Sequence, residues 1–201
     1  MKKSYVSSII LFLLLSPMSV YGGGMAEGGT IEGSVVARAL RSSEDVVVYL
    51  EDVPGDFKPP AENPVMDQLN LIYKPHVLPI LVGTTVDFPN SDEVRHNVFS
   101  PSGTKKFNLG SYPAGVVRQV TFDKQGVVAL LCNVHQEMSA YVVIVTNPYF
   151  AITGRRGNFI IENVPPGTYT IKTWHEKLKP GEQTVVVLPG ATVAVELTLR
   201  R

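Results

Sequence analysis

One cysteine, one tryptophan and no surplus of either charge mark this 201-residue chain. The lone Cys132 rules out an intramolecular disulfide, so packing and hydrogen bonds must hold the fold. Eighteen Lys and Arg balance 18 Asp and Glu, which leaves no basic stripe to follow a nucleic-acid backbone. No stretch keeps the apolar period of an amphipathic helix. The apolar stretch Val6–Leu15 is too short for a comfortable membrane span. With 44% hydrophobic residues the chain can nevertheless build a sizeable core.

What is present reads as export followed by strands and turns. Lys2 and Lys3 precede Val6–Leu15, and small residues follow near Gly22, so residues 1–22 are expected to be a signal peptide. Without those two lysines, 16 basic residues face 18 acidic ones, and the exported form is weakly acidic. An exported chain is expected in the periplasm or secreted, with no stable membrane span after processing. Residues 23–29 read as a glycine-rich linker. Thr30–Ala37 and Val46–Leu50 are strand-like, and Pro54–Pro64, with four prolines, is an extended connector.

From Val65 to Thr146 short strands alternate with turns. Leu69, Leu71 and Tyr73, spaced two apart with Asn70 and Lys74 as polar neighbours, predict a half-buried strand. Val77–Val82, Thr85–Phe88, Phe107–Leu109, Val116–Phe122, Val127–Leu131 and Tyr141–Val145 continue the pattern, as expected of an all-β sandwich.

Within this region Gly126–Val145 reads GVVALLCNVHQEMSAYVVIV, in which two apolar runs flank a loop holding Cys132, His135 and Met138. Thiolate and thioether are soft donors, and two imidazoles, one thiolate and a weak axial thioether make a blue-copper set. The chain has four histidines, His76, His96, His135 and His175. His96 lies just before the β-prone run Asn97–Phe99 and is the candidate for the second imidazole, giving a metal set of His96, Cys132, His135 and Met138. Metal ligation would also protect an unpaired thiol in an oxidising compartment.

Phe88–Ser100, Phe122–Leu131 and Cys132–Met138 resemble the cupredoxins of the amicyanin/plastocyanin-like group, over roughly Val65–Thr146. Glu137 departs from the apolar or aromatic residue common before the axial methionine. The blocks PHVLPILVGTTVDFPNSD, FDKQGVVALLCNVH, NPYFAIT and NFIIENVPPGTYTIKTWHE extend the similarity to small exported proteins known as methylamine-utilisation or plastocyanin-like proteins. The resemblance implies one type 1 copper per chain, His135 as the electron port and a protein redox partner such as a dehydrogenase or cytochrome. It does not carry over methylamine as a substrate.

Gly154–Trp174 (GRRGNFIIENVPPGTYTIKTW) is similar to carboxypeptidase regulatory-like, or transthyretin-like, β-sandwiches. Its few strands are too thin for two covered sheets, and Thr30–Leu50 looks like the missing opening strands. The expected division is therefore residues 65–146 as a cupredoxin domain inserted into a discontinuous sandwich of 30–64 and 147–201. Two domains in series is the competing arrangement.

Other polar residues divide between site and scaffold. Asn97 is a candidate for fixing a ligand from outside the metal set. His76 reads as structural or as a further ligand, and His175 with Glu176 as a polar strand end or a second metal pair. Lys105-Lys106 and Arg155-Arg156 read as solvated loop charges. Leu131 and Asn133 flank Cys132, so a three-copper oxidase cluster has no ligands here, and a binuclear thiolate centre would need a second cysteine. The chain is therefore expected not to be an enzyme. Electron carriage by an exported blue copper protein and copper delivery by a periplasmic binding module are the two functional expectations.

Overall fold

The computed structural model describes residues 27–38 and 40–201. The expected signal peptide and the first part of the glycine-rich linker lie outside the described residues. Among the described residues the chain is all-β, and no helix is long and apolar enough to cross a membrane.

Sixteen strands follow in order: β1 (Gly29–Ala37), β2 (Val47–Leu50), β3 (Asp67–Gln68), β4 (Tyr73–Lys74), β5 (Val77–Leu81), β6 (Thr84–Pro89), β7 (His96–Ser100) and β8 (Phe107–Tyr112). Then come β9 (Val117–Phe122), β10 (Gly126–Leu131), β11 (Ser139–Val145), β12 (Phe150–Ile152), β13 (Asn158–Val164), β14 (Gly167–Trp174), β15 (Glu182–Val187) and β16 (Thr192–Leu199).

The first two strands and the last five share two sheets, in the orders β13-β1-β16 and β12-β2-β14-β15. In β13, Phe159 and Ile161 are buried while Ile160 is 55% exposed, so the period of two sends one side to the core. Tyr169, Ile171 and Thr173 do the same along β14. The two inner faces close on one apolar cluster that includes Ile31, Leu50, Phe159, Ile171, Val195 and Leu199. This is a β-sandwich.

The nine strands between Asp67 and Val145 keep to their own sheets, in the orders β5-β11-β10-β7-β8, β6-β9 and β3-β4. Their core includes Met66, Tyr73, Phe88, Phe122, Val128, Leu130 and Val142. Burying side chains of this size contributes about 1.5–3 kcal/mol each. Where the two regions meet, Val47, Val77, Val143 and Val145 form a third apolar cluster, against which Tyr141, Phe150 and Trp174 pack.

One local expectation needs correction. Leu69–Tyr73 is not a strand: β3 and β4 form a hairpin whose tip residues Asn70 and Leu71 have φ of 60° and 61°. Leu71 and Ile72 are each 48% exposed, so the spacing there reflects a turn and not a buried face. The three-residue β12, too short for a pattern, pairs with β2 through Phe150↔Tyr49.

Candidate metal centre

The loop that carries three of the four candidate donors is set by the β10–β11 hairpin. Leu130 pairs with Ala140 and Leu131 with Ser139, so the loop spans Cys132–Met138. Leu130 and Ala140 both face the core, and a period of two places Cys132 and Met138 at the same face. Cys132 is 4% exposed and Met138 1%, and both belong to the inner apolar cluster. The Met138 N–H donates to the His135 carbonyl at 3.1 Å, which folds the loop back on itself. His135 is half-buried, whereas its neighbours Val134 and Gln136 are exposed.

His96 arrives from the other side as the first residue of β7 and is fully buried. Strand β7 joins β10 through Phe99↔Leu131. The loop before it is tied internally: Asn90 Nδ2 donates to the Val94 carbonyl at 2.8 Å, and the Asp92 N–H donates to Asn90 Oδ1 at 3.1 Å. His96 Nδ1 lies 3.0 Å from His135 Nδ1, with ring centroids 4.8 Å apart. One ring nitrogen of each histidine and the Cys132 sulfur all lie within 4.8 Å of one another. Among the described residues this is the one such group of His, Cys, Asp or Glu donors. Two imidazoles and a cysteine sulfur this close, largely shielded from water, fit a soft or borderline cation.

A shell of hydrogen bonds surrounds these donors. Asp92 Oδ2 lies 2.7 Å from His96 Nε2. An ionised carboxylate only accepts, so Nε2 carries a proton here, and in the neutral ring Nδ1 then keeps the lone pair turned to the donor group. The Asp92 carboxylate also accepts from the N–H groups of Asn70 (2.6 Å) and Leu71 (2.9 Å). Burial raises its pKa, but the Leu71 N–H, the His96 ring and the Asn70 N–H outweigh burial and bring it below the usual carboxylate value. The Tyr73 hydroxyl lies 2.9 Å from the Asn97 carbonyl and 3.1 Å from the Leu131 carbonyl. One phenol thus joins the residue after His96 to the residue before Cys132. Burial first, then Cys132 and Tyr112, push the Tyr73 phenol well above its ordinary pKa, so it stays a donor.

The remaining candidates lie elsewhere or face elsewhere. Asn97 donates from Nδ2 to Asn108 Oδ1 at 2.8 Å, pinning β7 to β8, and its buried Oδ1 has no partner. His76 Nδ1 contacts the Ser139 carbonyl at 3.2 Å and its Nε2 lies 3.4 Å from Glu176, across the junction of the two regions. His175 is 8% exposed and accepts the Lys177 N–H at Nδ1, while Glu176 faces His76 and Lys177. Asp92 and Tyr73 were not singled out from sequence. The available signal was an aspartate four residues before His96.

Comparison with known proteins gives partial matches. A family profile described as polysaccharide lyase family 4, domain II, matches residues 125–195, from the ligand hairpin into the outer sandwich and less than half of the chain. No curated protein matches. Among solved structures, a copper-containing nitrite reductase from Thermus scotoductus SA-01 is 25% identical with a TM-score of 0.42, over 47% of this chain and 28% of its own. A purple cupredoxin from Nitrosopumilus maritimus is 26% identical with a TM-score of 0.38, over 41% of this chain and 100% of its own. A reduced amicyanin variant is 20% identical with a TM-score of 0.40, over 49% of this chain and 98% of its own. The chain thus spans little more than a quarter of the nitrite reductase it matches. Likeness at these scores decides nothing about the metal, whose case rests on the donor atoms.

Proposed function

We propose that this is an exported mononuclear type 1 copper protein that carries one electron between protein redox partners, such as a dehydrogenase and a cytochrome. The observation that carries the reading is the convergence of His96, Cys132 and His135, whose donor atoms lie within 4.8 Å of one another, with Met138 buried at the end of the same loop. One copper ion bound there would supply a Cu(I)/Cu(II) couple.

The chain's own residues do the rest. His96 and Cys132 come from adjacent strands whose separation the Tyr73 hydroxyl spans, which resists ligand movement. Met138 is assigned as the weak axial donor, and burial of Met138 and Cys132 keeps water from the sulfur atoms. His135, half-buried among exposed loop residues, offers the ring edge through which a docked partner would exchange the electron. Leu131 and Asn133 beside Cys132 hold no further metal, and no enzymatic activity is proposed. We assign residues 65–146 as the copper domain, inserted into a discontinuous, regulatory-like sandwich of 30–64 and 147–201, and place the protein in the periplasm or outside the cell.

The test is the visible spectrum of protein loaded with Cu(II), before and after ascorbate, beside Cys132→Ala. An intense thiolate-to-copper band that bleaches on reduction, returns on oxidation and is absent from the variant supports the reading. A colourless protein that yields Cu(I) readily to a chelator moves the function to copper delivery. Failure to bind copper stoichiometrically overturns both.

A further inference from the structure

We infer that Asp92 is a positioning residue: gripped by the tip of the β3–β4 hairpin, it holds the His96 ring so that Nδ1, free of its proton, faces Cys132 and His135. The inference deepens the copper reading and rests on it for its meaning, though the contact itself exists without metal.

Three observations converge on this carboxylate. Its Oδ2 meets His96 Nε2 at 2.7 Å, while its side chain is only 11% exposed. Both oxygens are already engaged by the hairpin, at the N–H groups of Asn70 and Leu71. Those N–H groups point at Asp92 because Asn70 and Leu71 both adopt left-handed backbone, with φ of 60° and 61°. For Leu71 that conformation is strained, because its Cβ crowds the following carbonyl oxygen. A two-residue turn of this form ordinarily takes glycine at its second position. Leucine tolerates it here with its side chain half in solvent, and the carboxylate bonds offset the cost.

The hairpin braces the site at a second point, because Tyr73 on β4 reaches the Asn97 and Leu131 carbonyls. One small element therefore touches both ligand-bearing strands and, through Asp92, orients one of the ligands. A carboxylate on the far nitrogen makes an imidazole a stronger donor, and an oxidised, more highly charged ion gains most from that. A side chain that only capped the hairpin would not discriminate between oxidation states.

Two measurements test this. In metal-free protein, nitrogen-15 NMR of the imidazoles should show His96 as the Nε2–H tautomer with a slowly exchanging ring proton, and Asp92→Ala should release that proton to solvent. The Nδ1–H tautomer in the unaltered protein would overturn the inference, and that result needs no variant to fold. In loaded protein, Asp92→Asn should weaken Cu(II) about 10- to 100-fold while leaving Cu(I) within about twofold, raising the reduction potential. Equal weakening of both ions would reduce Asp92 to a hairpin cap and sink the proposal. If unaltered protein binds no copper, the copper reading fails, while the tautomer measurement still decides the clamp.

Discussion

The outer sandwich and the inner region use similar strands but place their polar groups differently. In the outer sandwich the buried interior is almost wholly aliphatic and aromatic, and Asn147, Thr153, Thr173 and His175 are its buried polar exceptions among the described residues. The inner region buries Gln68, Thr84, Asn90, His96, Asn97 and Ser100. Among the described residues it also holds the three buried side-chain atoms without hydrogen-bond partners, on Gln68, Thr84 and Asn97. Buried polar groups cost free energy unless they are matched, so a region that keeps them is selected for more than packing. The outer region reads as support, the inner one as a site with a scaffold grown around it.

Core truncation should separate the two most sharply. Ile171→Ala and Leu130→Ala, each at a fully buried position, should each cost about 2–5 kcal/mol in a urea titration. Only Leu130→Ala, two residues before Cys132, should also alter the copper band. A changed spectrum in Ile171→Ala would break the division of labour.

Copper itself is the next largest lever. At free copper about a hundred times Kd, binding should add about 2.7 kcal/mol to opening of the region that binds it. Amide exchange checks this residue by residue: protection should rise at Val128 and Val142 and stay level at Val195. An equal rise everywhere would mean that both regions open as one unit through their shared Val47, Val77 and Val143 contacts.

Acid should act on the outer region in a way that copper does not. Burial lowers the pKa of His175 from its ordinary 6.5, against the opposing pull of Glu176 and Asp45. The unfolded chain then takes up this proton before the folded one does. Its contribution is intact above about pH 6.5 and is lost as pH falls toward the folded value, with a slope of at most about 1.4 kcal/mol per pH unit. His175→Asn should flatten that part of the stability profile between about pH 7.5 and about pH 5.5. An unchanged slope would show that the ring is not held neutral.

The smallest effect sharpens the comparison from the inner side. Leu71→Gly keeps the N–H that reaches Asp92 and removes the strain of a left-handed leucine, so it should stabilise metal-free protein by about 1 kcal/mol. Thermal melting of the variant checks this, and a loss of stability would mean that the leucine side chain contributes more than the strain costs.

These contrasts also explain what could be read from the chain. The all-β class was legible because strands such as β14 and β16 alternate along most of their length, with one face buried. Cys132, His135 and Met138 lie within seven residues, so one turn announces their chemistry, and His96 needed only a neighbouring strand. Asp92 and Tyr73 were not legible because their roles depend on contacts between distant segments. The same holds for the tip at Asn70 and Leu71, whose conformation answers to a carboxylate some twenty residues away. The spacing of Leu69, Leu71 and Tyr73 made the segment look like a strand, although apolar Ile72 breaks the alternation just where the turn lies.

The pairing of β1 fixes an order of events during synthesis. Its neighbours are β13 and β16, and Thr30–Ala37 runs alongside Thr192–Leu199 at the far end of the chain. The first strand must therefore wait for β13 on one edge and, on the other, until nearly the last residue has been made. Strands β3 to β11 need only one another. The segment bearing the donor side chains can thus reach its native contacts while the sandwich around it is still open, and closure by β16 comes as the final step of assembly.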